Sequence, residues 1–371
     1  MGTEKANHDL RAISRLFALQ GDFAGGGVYG SGHINDTYSV TCNQAGTPVR
    51  YILQRVNHNV FKKPVELMEN VARVTAHAQR RLAEAGDGEA SRKALTTVPA
   101  LDGKPYAFDA DGNLWRVYLF IEKATGYDLI ETNKQAYEAA KAFGDFQRLL
   151  ADLPGERLHE TIPNFHHTRK RFDVLLAAIA EDKCNRAAEV KADIEFALAR
   201  EAEASVFLEA MASGEIPERV THNDTKLNNV LIDDASGQGI CVIDLDTTMP
   251  GCALYDFGDM VRSATNSAAE DETDLSKVTS RLEIFKALAD GYLASARAFL
   301  LPAEIRQLVF AGRLLTFECG IRFLTDYLQG DVYFKTKRPG QNRDRCRNQF
   351  ALVKSIEDQN EVMQAFVESL G

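Results

Sequence analysis

The segment THNDTKLNNVLID, residues 221–233, places several polar side chains on one short connection before an apolar run. His222, Asp224 and Asn229 have the spacing H-x-D-x-x-x-x-N, which is typical of loops that carry out phosphoryl transfer. In that chemistry a carboxylate orients the acceptor hydroxyl and takes its proton, and Asp224 is the candidate. Lys226 can reach the transferring phosphate from the same loop. A polar Asx turn before a strand is the alternative, since three fixed positions match by chance in about one such chain in twenty.

A second group of acids follows in the block ICVIDLD, residues 240–246, which reads as a strand ending in Asp244. A glycine-containing turn separates this strand from the earlier apolar run 230–232, so a hairpin would bring Asn229 and Asp244 to the same end. Mg²⁺ prefers oxygen ligands, commonly one or two carboxylates together with substrate phosphates. The sequence therefore predicts a magnesium site at Asn229 and Asp244, with Asp246 as a further ligand.

A nucleotide-binding half should offer a glycine-rich turn and a basic residue on a neighbouring strand. The run GSGHIN, residues 30–35, fits the first requirement, although a simple hairpin turn is the alternative and no Walker motif is present. Arg55 ends the predicted strand YILQR, with Glu66 or Glu69 on the next helix as its partner; a solvated charge at the strand end is the alternative. The predicted nucleotide contacts are Gly30, Ser31, Gly32, Asn35, Arg55 and Glu69.

The elements around these residues predict an α+β protein with two lobes, 1–121 and 122–371. The first lobe is a small antiparallel sheet with one helix: strands at 37–40 and 49–56, a helix at 64–86 and a hairpin at 106–121. The second lobe is helical and carries the catalytic segment with one inserted hairpin. Its predicted helices are 133–153, 186–213, 277–299, 303–329 and 344–368.

The composition of the 371 residues, 45% hydrophobic and 26% charged, is that of an ordinary globular protein. No apolar run approaches the ~18 residues of a membrane span, so no membrane partner is expected. Six scattered cysteines without a CxxC pair indicate reduced thiols and a cytoplasmic protein. A net charge of −10 argues against a nucleic-acid partner, and it requires local cations or a metal if the substrate is a phosphate compound. The sequence does not indicate an oligomeric state.

Eight blocks of the sequence resemble the aminoglycoside phosphotransferase and choline kinase superfamily, and within it the bacterial N-acetylhexosamine 1-kinases. They are GSGHINDTY (30–38), YILQRVNHNVF (51–61), LMENV (67–71), WRVYLFIE (115–122), IPNFHHT (162–168), THNDTKLNNVLID (221–233), VIDLDTTMPGCALYDFGDMVR (242–262) and GIRFLTDYLQGDVYFK (320–335). This resemblance implies a two-lobed protein-kinase-like fold, with ATP and Mg²⁺ as cofactors. It also implies that Asp224 is the base, that Asn229 and Asp244 bind the metal, and that Arg55 stands where many kinases have lysine.

The resemblance further implies that His33, Arg322 and Tyr333 lie in a sugar pocket together with Asp224. Each of the three has a structural alternative: His33 can brace its loop, Tyr333 can belong to the core, and Arg322 can pair along its own helix with acids four residues away on either side. The string DFG at 256–258 resembles a kinase metal motif, but the resemblance makes Asp256 a structural acid.

The implied function is ATP-dependent phosphorylation of the anomeric hydroxyl of N-acetylglucosamine or N-acetylgalactosamine, a small-molecule sugar partner. Another small-alcohol kinase, acting on choline, homoserine or an aminoglycoside, is one alternative. Such a cationic acceptor would require an aromatic cage or an acidic pocket, which Arg322 and His33 do not suit. A non-catalytic kinase fold is the other alternative, and the presence of Asp224, Asn229 and Asp244 disfavours it.

Overall fold

The computed structural model describes residues 8–30, 32 and 34–370, so the predicted contacts Ser31 and His33 lie outside the described residues. The first lobe is an antiparallel sheet of five strands in the order β1-β2-β3-β5-β4, with α2 packed on it. Its elements are α1 (Leu10–Ser14), β1 (Asp22–Val28), β2 (Asp36–Gln44), β3 (Thr47–Arg55), α2 (Pro64–Glu84), α3 (Ala90–Lys93), β4 (Ala107–Phe108) and β5 (Leu114–Leu119).

The two faces of this sheet bury different cores, because successive side chains of a strand point to opposite faces. Leu53 of β3 pairs with Val117 of β5, and both lie in a core that also contains Phe17. The next pair, Gln54 and Arg116, points to the other face, where the Arg116 guanidinium contacts the sulfur of a methionine on α2. The Arg116 face is therefore the one turned toward α2 and the second lobe.

The second lobe is mostly helical and contains two small antiparallel sheets, β6-β8-β9 and β10-β7. Its strands are β6 (Ala124–Gly126), β7 (Arg219–Thr221), β8 (Val230–Asp233), β9 (Gly239–Val242) and β10 (Met249–Gly251). Its helices are α4 (Asn133–Leu150), α5 (Thr168–Glu181), α6 (Lys191–Leu198), α7 (Val206–Ala212), α8 (Ala253–Thr265), α9 (Leu282–Ala296), α10 (Pro302–Arg306), α11 (Leu308–Gln329), α12 (Gln341–Asp358) and α13 (Asn360–Ser369).

Helices α4 and α9 pack with their backbones nearly in contact, because glycine occupies the contact positions. A Cβ on Gly291 of α9 would lie 2.1 Å from the carbonyl oxygen of Tyr137 on α4. A Cβ on Gly144 of α4 would lie 2.9 Å from the carbonyl oxygen of Tyr292. Both distances are shorter than a carbon–oxygen contact allows, so the separation of the two helices depends on the absence of these side chains.

The structure confirms the predicted fold class, while several helix boundaries differ from the prediction. The predicted helix 186–213 is broken into α6 and α7 with 3-10 turns before each of them, and 303–329 and 344–368 are each divided into two helices. The prediction missed α5 and α8, and the glycine run before residue 28 belongs to β1 rather than to a loop. No helix among the described residues is long and apolar enough to cross a bilayer.

Candidate active site

The proposed catalytic segment, residues 222–229, lies between β7 and β8. Two acids of α8 accept hydrogen bonds from its backbone. Asp256 accepts hydrogen bonds from the backbone N–H groups of His222 at 2.9 Å and Asn223 at 2.7 Å. Asp259, one helical turn later, accepts from the backbone N–H of Thr225 at 2.9 Å. These carboxylates replace the backbone partners that an irregular segment lacks. The acid of the DFG string is therefore structural, as the resemblance implies.

Asp224 lies at the centre of this segment, with a cation on one side and an amide on the other. Lys226 Nζ is 2.7 Å from Asp224 Oδ1, and Asn229 Nδ2 donates to the Asp224 backbone oxygen at 2.8 Å. Burial opposes the charge of Lys226, but the carboxylates of Asp224 and Asp259 outweigh it and raise the Lys226 pKa. About a quarter of the Asp224 side chain is exposed, 25%, so an acceptor hydroxyl can approach it.

Asp244 follows β9 and is a neighbour of Asn229, as the predicted hairpin requires. The N–H of Ile243 donates to the carbonyl oxygen of Asn229 at 2.9 Å, which joins the two strand ends. The Asp244 backbone is left-handed, with φ 59°, and its carboxylate has no hydrogen bond or ion pair among the described residues. Burial in the cleft, followed by the carboxylates of Asp246 and Asp224, raises the Asp244 pKa to about 6, although solvent still reaches the side chain.

The arrangement of Asn229 and Asp244 suits a magnesium ion. Asn229 donates hydrogen bonds from Nδ2 to Asp224, so its Oδ1 remains available as a metal ligand. Among residues 8–30, 32 and 34–370, no group of three or more His, Cys, Asp or Glu side chains is placed to hold a metal. Mg²⁺ in phosphoryl-transfer sites takes few protein ligands, because phosphates and waters complete its shell. One free carboxylate and one amide oxygen therefore fit this ion.

Asp246, the third predicted metal ligand, is engaged by protein donors instead. Its Oδ1 pairs with the guanidinium of Arg116, and its Oδ2 accepts from Asn35 Nδ2 at 2.6 Å. Arg116 is completely buried, and it also donates to the side-chain oxygen of Gln54 at 3.0 Å. Asp246 Oδ1 accepts no hydrogen bond among the described residues and is held by the Arg116 ion pair alone, whereas Asp244, two residues earlier, has neither kind of partner. In this structure Asp246 positions the segment after β9, and its role as a metal ligand stays a prediction.

Arg116 lies on the face of the sheet that is turned toward the second lobe, whereas Arg55 lies on the opposite face. Arg55 Nε donates to Asp36 across the β2–β3 pair at 2.7 Å, so neither of its expected glutamate partners is used. Glu69 instead contacts His159 at 2.8 Å near the surface. The predicted nucleotide contacts Arg55 and Glu69 therefore do not come together. The sequence signal for Arg116 was a charged residue inside the apolar strand LWRVYL; in the structure it pairs with Gln54 on the neighbouring strand.

The glycine turn connects β1 to β2, and its described part includes Gly30 and Gly32. Gly30 has φ +74°, a conformation that favours glycine. Asn35 at the end of the turn is buried, and both polar ends of its side chain are in use. Its Oδ1 accepts from the backbone N–H of Asn57 at 3.0 Å, and its Nδ2 contacts Asp246. Asn35 therefore anchors the turn, whereas it was predicted to contact the nucleotide.

Arg322 on α11 has no carboxylate partner among the described residues, so the ion-pair alternative for it is wrong. Glu318 accepts instead from Thr168 Oγ1 at 2.6 Å and contacts a histidine ring. Asp326 accepts from the backbone N–H groups of residues 332–334 at 2.8 to 2.9 Å. The Arg322 guanidinium instead lies 6.0 Å from the ring centroid of Tyr333, which is 68% exposed and therefore not a core residue.

A second arginine, which the sequence did not single out, lies beside Arg322. Arg171 on α5 donates to the backbone oxygen of Phe165 at 3.2 Å, while its buried Nε has no partner among the described residues. Burial and the neighbouring charge of Arg322 lower the Arg171 pKa. Two guanidinium groups that have no ion-pair partner within residues 8–30, 32 and 34–370 thus lie next to the exposed ring of Tyr333. No sequence signal indicated Arg171, because α5 itself was missed.

Comparison with known proteins agrees with this geometry. The sequence profile described as the phosphotransferase enzyme family matches residues 27–294, which cover most of the first lobe and the part of the second lobe from β6 to α8. An aminoglycoside phosphotransferase from Alicyclobacillus acidocaldarius has a similar structure, with TM-score 0.57, 15% identity, and coverage of 100% of this chain and 97% of the other. A microcompartment-associated aminopropanol kinase has TM-score 0.56 and 14% identity, with coverage of 95% of this chain and 97% of the other. A Plasmodium vivax ethanolamine kinase has TM-score 0.52 and 16% identity, with coverage of 88% of this chain and 82% of the other. At these identities the likeness shows the fold.

Proposed function

The chain belongs to the phosphotransferase enzyme family, and from that premise we propose that it transfers the γ-phosphoryl group of ATP to the anomeric hydroxyl of an N-acetylhexosamine. The product is the sugar 1-phosphate. The observation that supports this acceptor class is Arg322, which lies beside the exposed ring of Tyr333 and has no ion-pair partner among the described residues. Sugar sites combine a few fixed donors with an aromatic wall, and these two residues supply both.

In this mechanism Asp224 orients the acceptor hydroxyl and accepts its proton as the new P–O bond forms and the bond to ADP breaks. Lys226, at 2.7 Å from the same carboxylate, forms an ion pair with Asp224 and is within reach of the phosphoryl oxygens. Asn229 Oδ1 and the Asp244 carboxylate would hold Mg²⁺, which neutralises phosphate charge when bound. A protein of net charge −10 needs such local positive charge to bind a triphosphate.

Cationic acceptors are the main alternative, since two of the similar structures are named for kinases of amino alcohols. An ammonium group next to Arg171 and Arg322 would meet two like charges, which the single carboxylate acting on both arginines, Glu318, offsets only in part. Glu318, the nearest acid on α11, is already engaged by Thr168 and a histidine. The charges around Tyr333 therefore favour an uncharged acceptor. The complete set of Asp224, Asn229 and Asp244 favours a catalytic protein over a non-catalytic binding fold.

The test is ATP consumption with a panel of N-acetylglucosamine, N-acetylgalactosamine, glucose, choline, ethanolamine, homoserine and an aminoglycoside. We expect turnover with the two N-acetylhexosamines and little with the cations. Phosphorus NMR of the product should show a phosphate coupled to the anomeric proton. A sugar 6-phosphate, or phosphocholine as the only product, would contradict the proposal.

A further inference from the structure

The residues Phe165, His166 and His167 precede α5, which begins at Thr168, and they have no role in the mechanism above. His166 is buried, with 9% exposure, and it lies between the catalytic segment and α11. Its Nε2 is 2.9 Å from the carbonyl oxygen of Asn223, and its Nδ1 is 2.9 Å from Glu318 Oε1. Both ring nitrogens therefore face oxygen atoms.

This geometry determines the protonation state of the ring. A neutral imidazole has one N–H donor and one unprotonated nitrogen, and the unprotonated nitrogen cannot bond a carbonyl or a carboxylate. The Asn223 carbonyl is only an acceptor, and the other oxygen of Glu318 accepts from Thr168. Two donors are therefore required of His166, and only the imidazolium supplies them.

We propose that His166 is a positively charged positioning residue that holds the catalytic segment at a fixed distance from the acceptor helix α11. Asn223 has a left-handed backbone, with φ 65°, and its carbonyl belongs to the peptide unit that carries the Asp224 N–H. A hydrogen bond to that carbonyl fixes the plane from which the Asp224 side chain extends. At the other end, Glu318 lies one helical turn before Arg322 on α11. The imidazolium thus connects the proposed base to the proposed acceptor residue.

The groups packed around His166 support this charge. Burial alone would lower the His166 pKa, but Glu318 and Asp259 outweigh it and raise the pKa above its ordinary value. The His166 charge in turn keeps the Glu318 pKa low. The remaining neighbours are the ring of Phe165 at 4.7 Å, the ring of Tyr255 at 5.2 Å, and the cations Arg171 and Arg322, which act on Glu318.

The adjacent histidine offers an internal contrast. His167 caps the start of α5, and its Nδ1 accepts a hydrogen bond from the backbone N–H of Lys170 at 3.2 Å. An accepting nitrogen must be unprotonated, and burial together with the Lys170 charge lowers the His167 pKa. Two consecutive histidines are therefore expected to differ in charge at neutral pH.

Nitrogen NMR of the histidine-labelled protein tests the charge directly, without any acceptor. At pH 7 we expect two protonated ring nitrogens for His166 and one unprotonated nitrogen for His167, with each ring assigned through its bonds to the assigned backbone. A neutral His166 ring at pH 7 would overturn the proposal, and because the assignment uses the native protein, the measurement does not depend on whether His166→Gln folds.

Kinetics with the best acceptor of the panel test the positioning role, which rests on the proposed phosphoryl transfer but not on its sugar. His166→Gln keeps one donor contact and loses the other, so acceptor kcat/KM should fall roughly 10- to 100-fold while the ATP KM changes less than about twofold. His167→Asn, which preserves the helix cap, is the matched control and should stay within about twofold of the native enzyme. Equal effects of the two substitutions would overturn the role. Failure of every N-acetylhexosamine would overturn only the proposed acceptor.

Discussion

Asn35 donates a hydrogen bond to Asp246 over 2.6 Å and thereby joins the turn after β1 to the segment after β9. The same aspartate holds the buried guanidinium of Arg116. Asp244, the free carboxylate, lies two residues before this junction. The contact therefore couples the glycine turn of the first lobe to the proposed metal ligand of the second.

Removal of the Asp246 carboxylate should destabilise the fold. In Asp246→Ala the Arg116 charge remains buried without its partner, and such a loss costs about 3–5 kcal/mol. Urea unfolding of the variant and the native protein measures this difference in free energy. A loss of less than about 1 kcal/mol would show that Arg116 is paired elsewhere.

Asp244→Ala should abolish activity and leave the stability of the fold nearly unchanged. Its carboxylate has no partner among the described residues and is repelled by Asp246, so the free energy of unfolding should change little. ATP turnover should be abolished, because the hard-oxygen ligand of Mg²⁺ is lost. The measurements are turnover, the urea midpoint, and Mg²⁺ titration of the native enzyme after EDTA treatment. Full turnover of the native enzyme in excess EDTA would rule out the magnesium mechanism.

Asp224→Asn should lower kcat by on the order of 10³ or more, while nucleotide binding survives. The amide fills the same space as the carboxylate but cannot accept the hydroxyl proton. Steady-state kinetics and calorimetric titration with ATP separate the two effects. If the variant retains more than about a tenth of the native kcat, Asp224 is not the base.

Arg322→Ala should cost roughly 2–4 kcal/mol in kcat/KM for the sugar and leave the ATP KM nearly unchanged. The reason is that Arg322 has no carboxylate partner in the structure, so its donors are available to acceptor oxygens. Arg169→Ala is the control, since Arg169 is ion-paired with Asp173 and Glu201 on the other side of α5. Unchanged sugar kinetics in Arg322→Ala would remove Arg322 from the acceptor site.

The His166–Glu318 pair should make stability depend on pH in two directions. The raised His166 pKa stabilises the fold fully below the unfolded value of about 6.5, and this contribution is lost as pH rises through the folded pKa. The lowered Glu318 pKa contributes fully above about 4.5 and is lost as pH falls through its folded value. The difference in unfolding free energy between the native protein and His166→Gln should therefore be largest near pH 5.5 and decline at alkaline pH. Urea titrations across the pH range measure it, and a difference independent of pH would contradict the charged pair.

The catalytic segment could be predicted from sequence because its chemistry is local. The spacing from Asp224 to Asn229 and the strand ending in Asp244 place these groups through one hairpin, and the β8–β9 register has that form. The fold class followed from the separation of strand-like and helical stretches. Both predictions depend on contacts between residues close in sequence.

The errors concern which face or which distant partner a side chain takes. Arg55 and Arg116 are both on strands, and a shift of one residue in register moves a side chain to the opposite face of the sheet. Asp246 was predicted to be the third metal ligand. Its ion-pair partner, Arg116, is 130 residues away in the chain, so the sequence did not indicate the pair. Helix periodicity gave no warning of the break between α6 and α7, since the 3-10 turn between them is only five residues long.

A series of hydrogen bonds connects the glycine contact between α4 and α9 to the proposed catalytic segment. Tyr292, next to Gly291, donates from its hydroxyl to Gln147 on α4, and Gln147 donates to Asp256 at 2.6 Å. Asp256 in turn holds the backbone of the catalytic segment. Any side chain at position 291 would push the backbone of Tyr137 on α4 away from α9. The hydrogen bond between Tyr292 on α9 and Gln147 on α4 would then lengthen. We therefore expect the reactivity of the proposed site to depend on the separation of α4 and α9, an interface that contains none of the proposed catalytic or metal-binding residues.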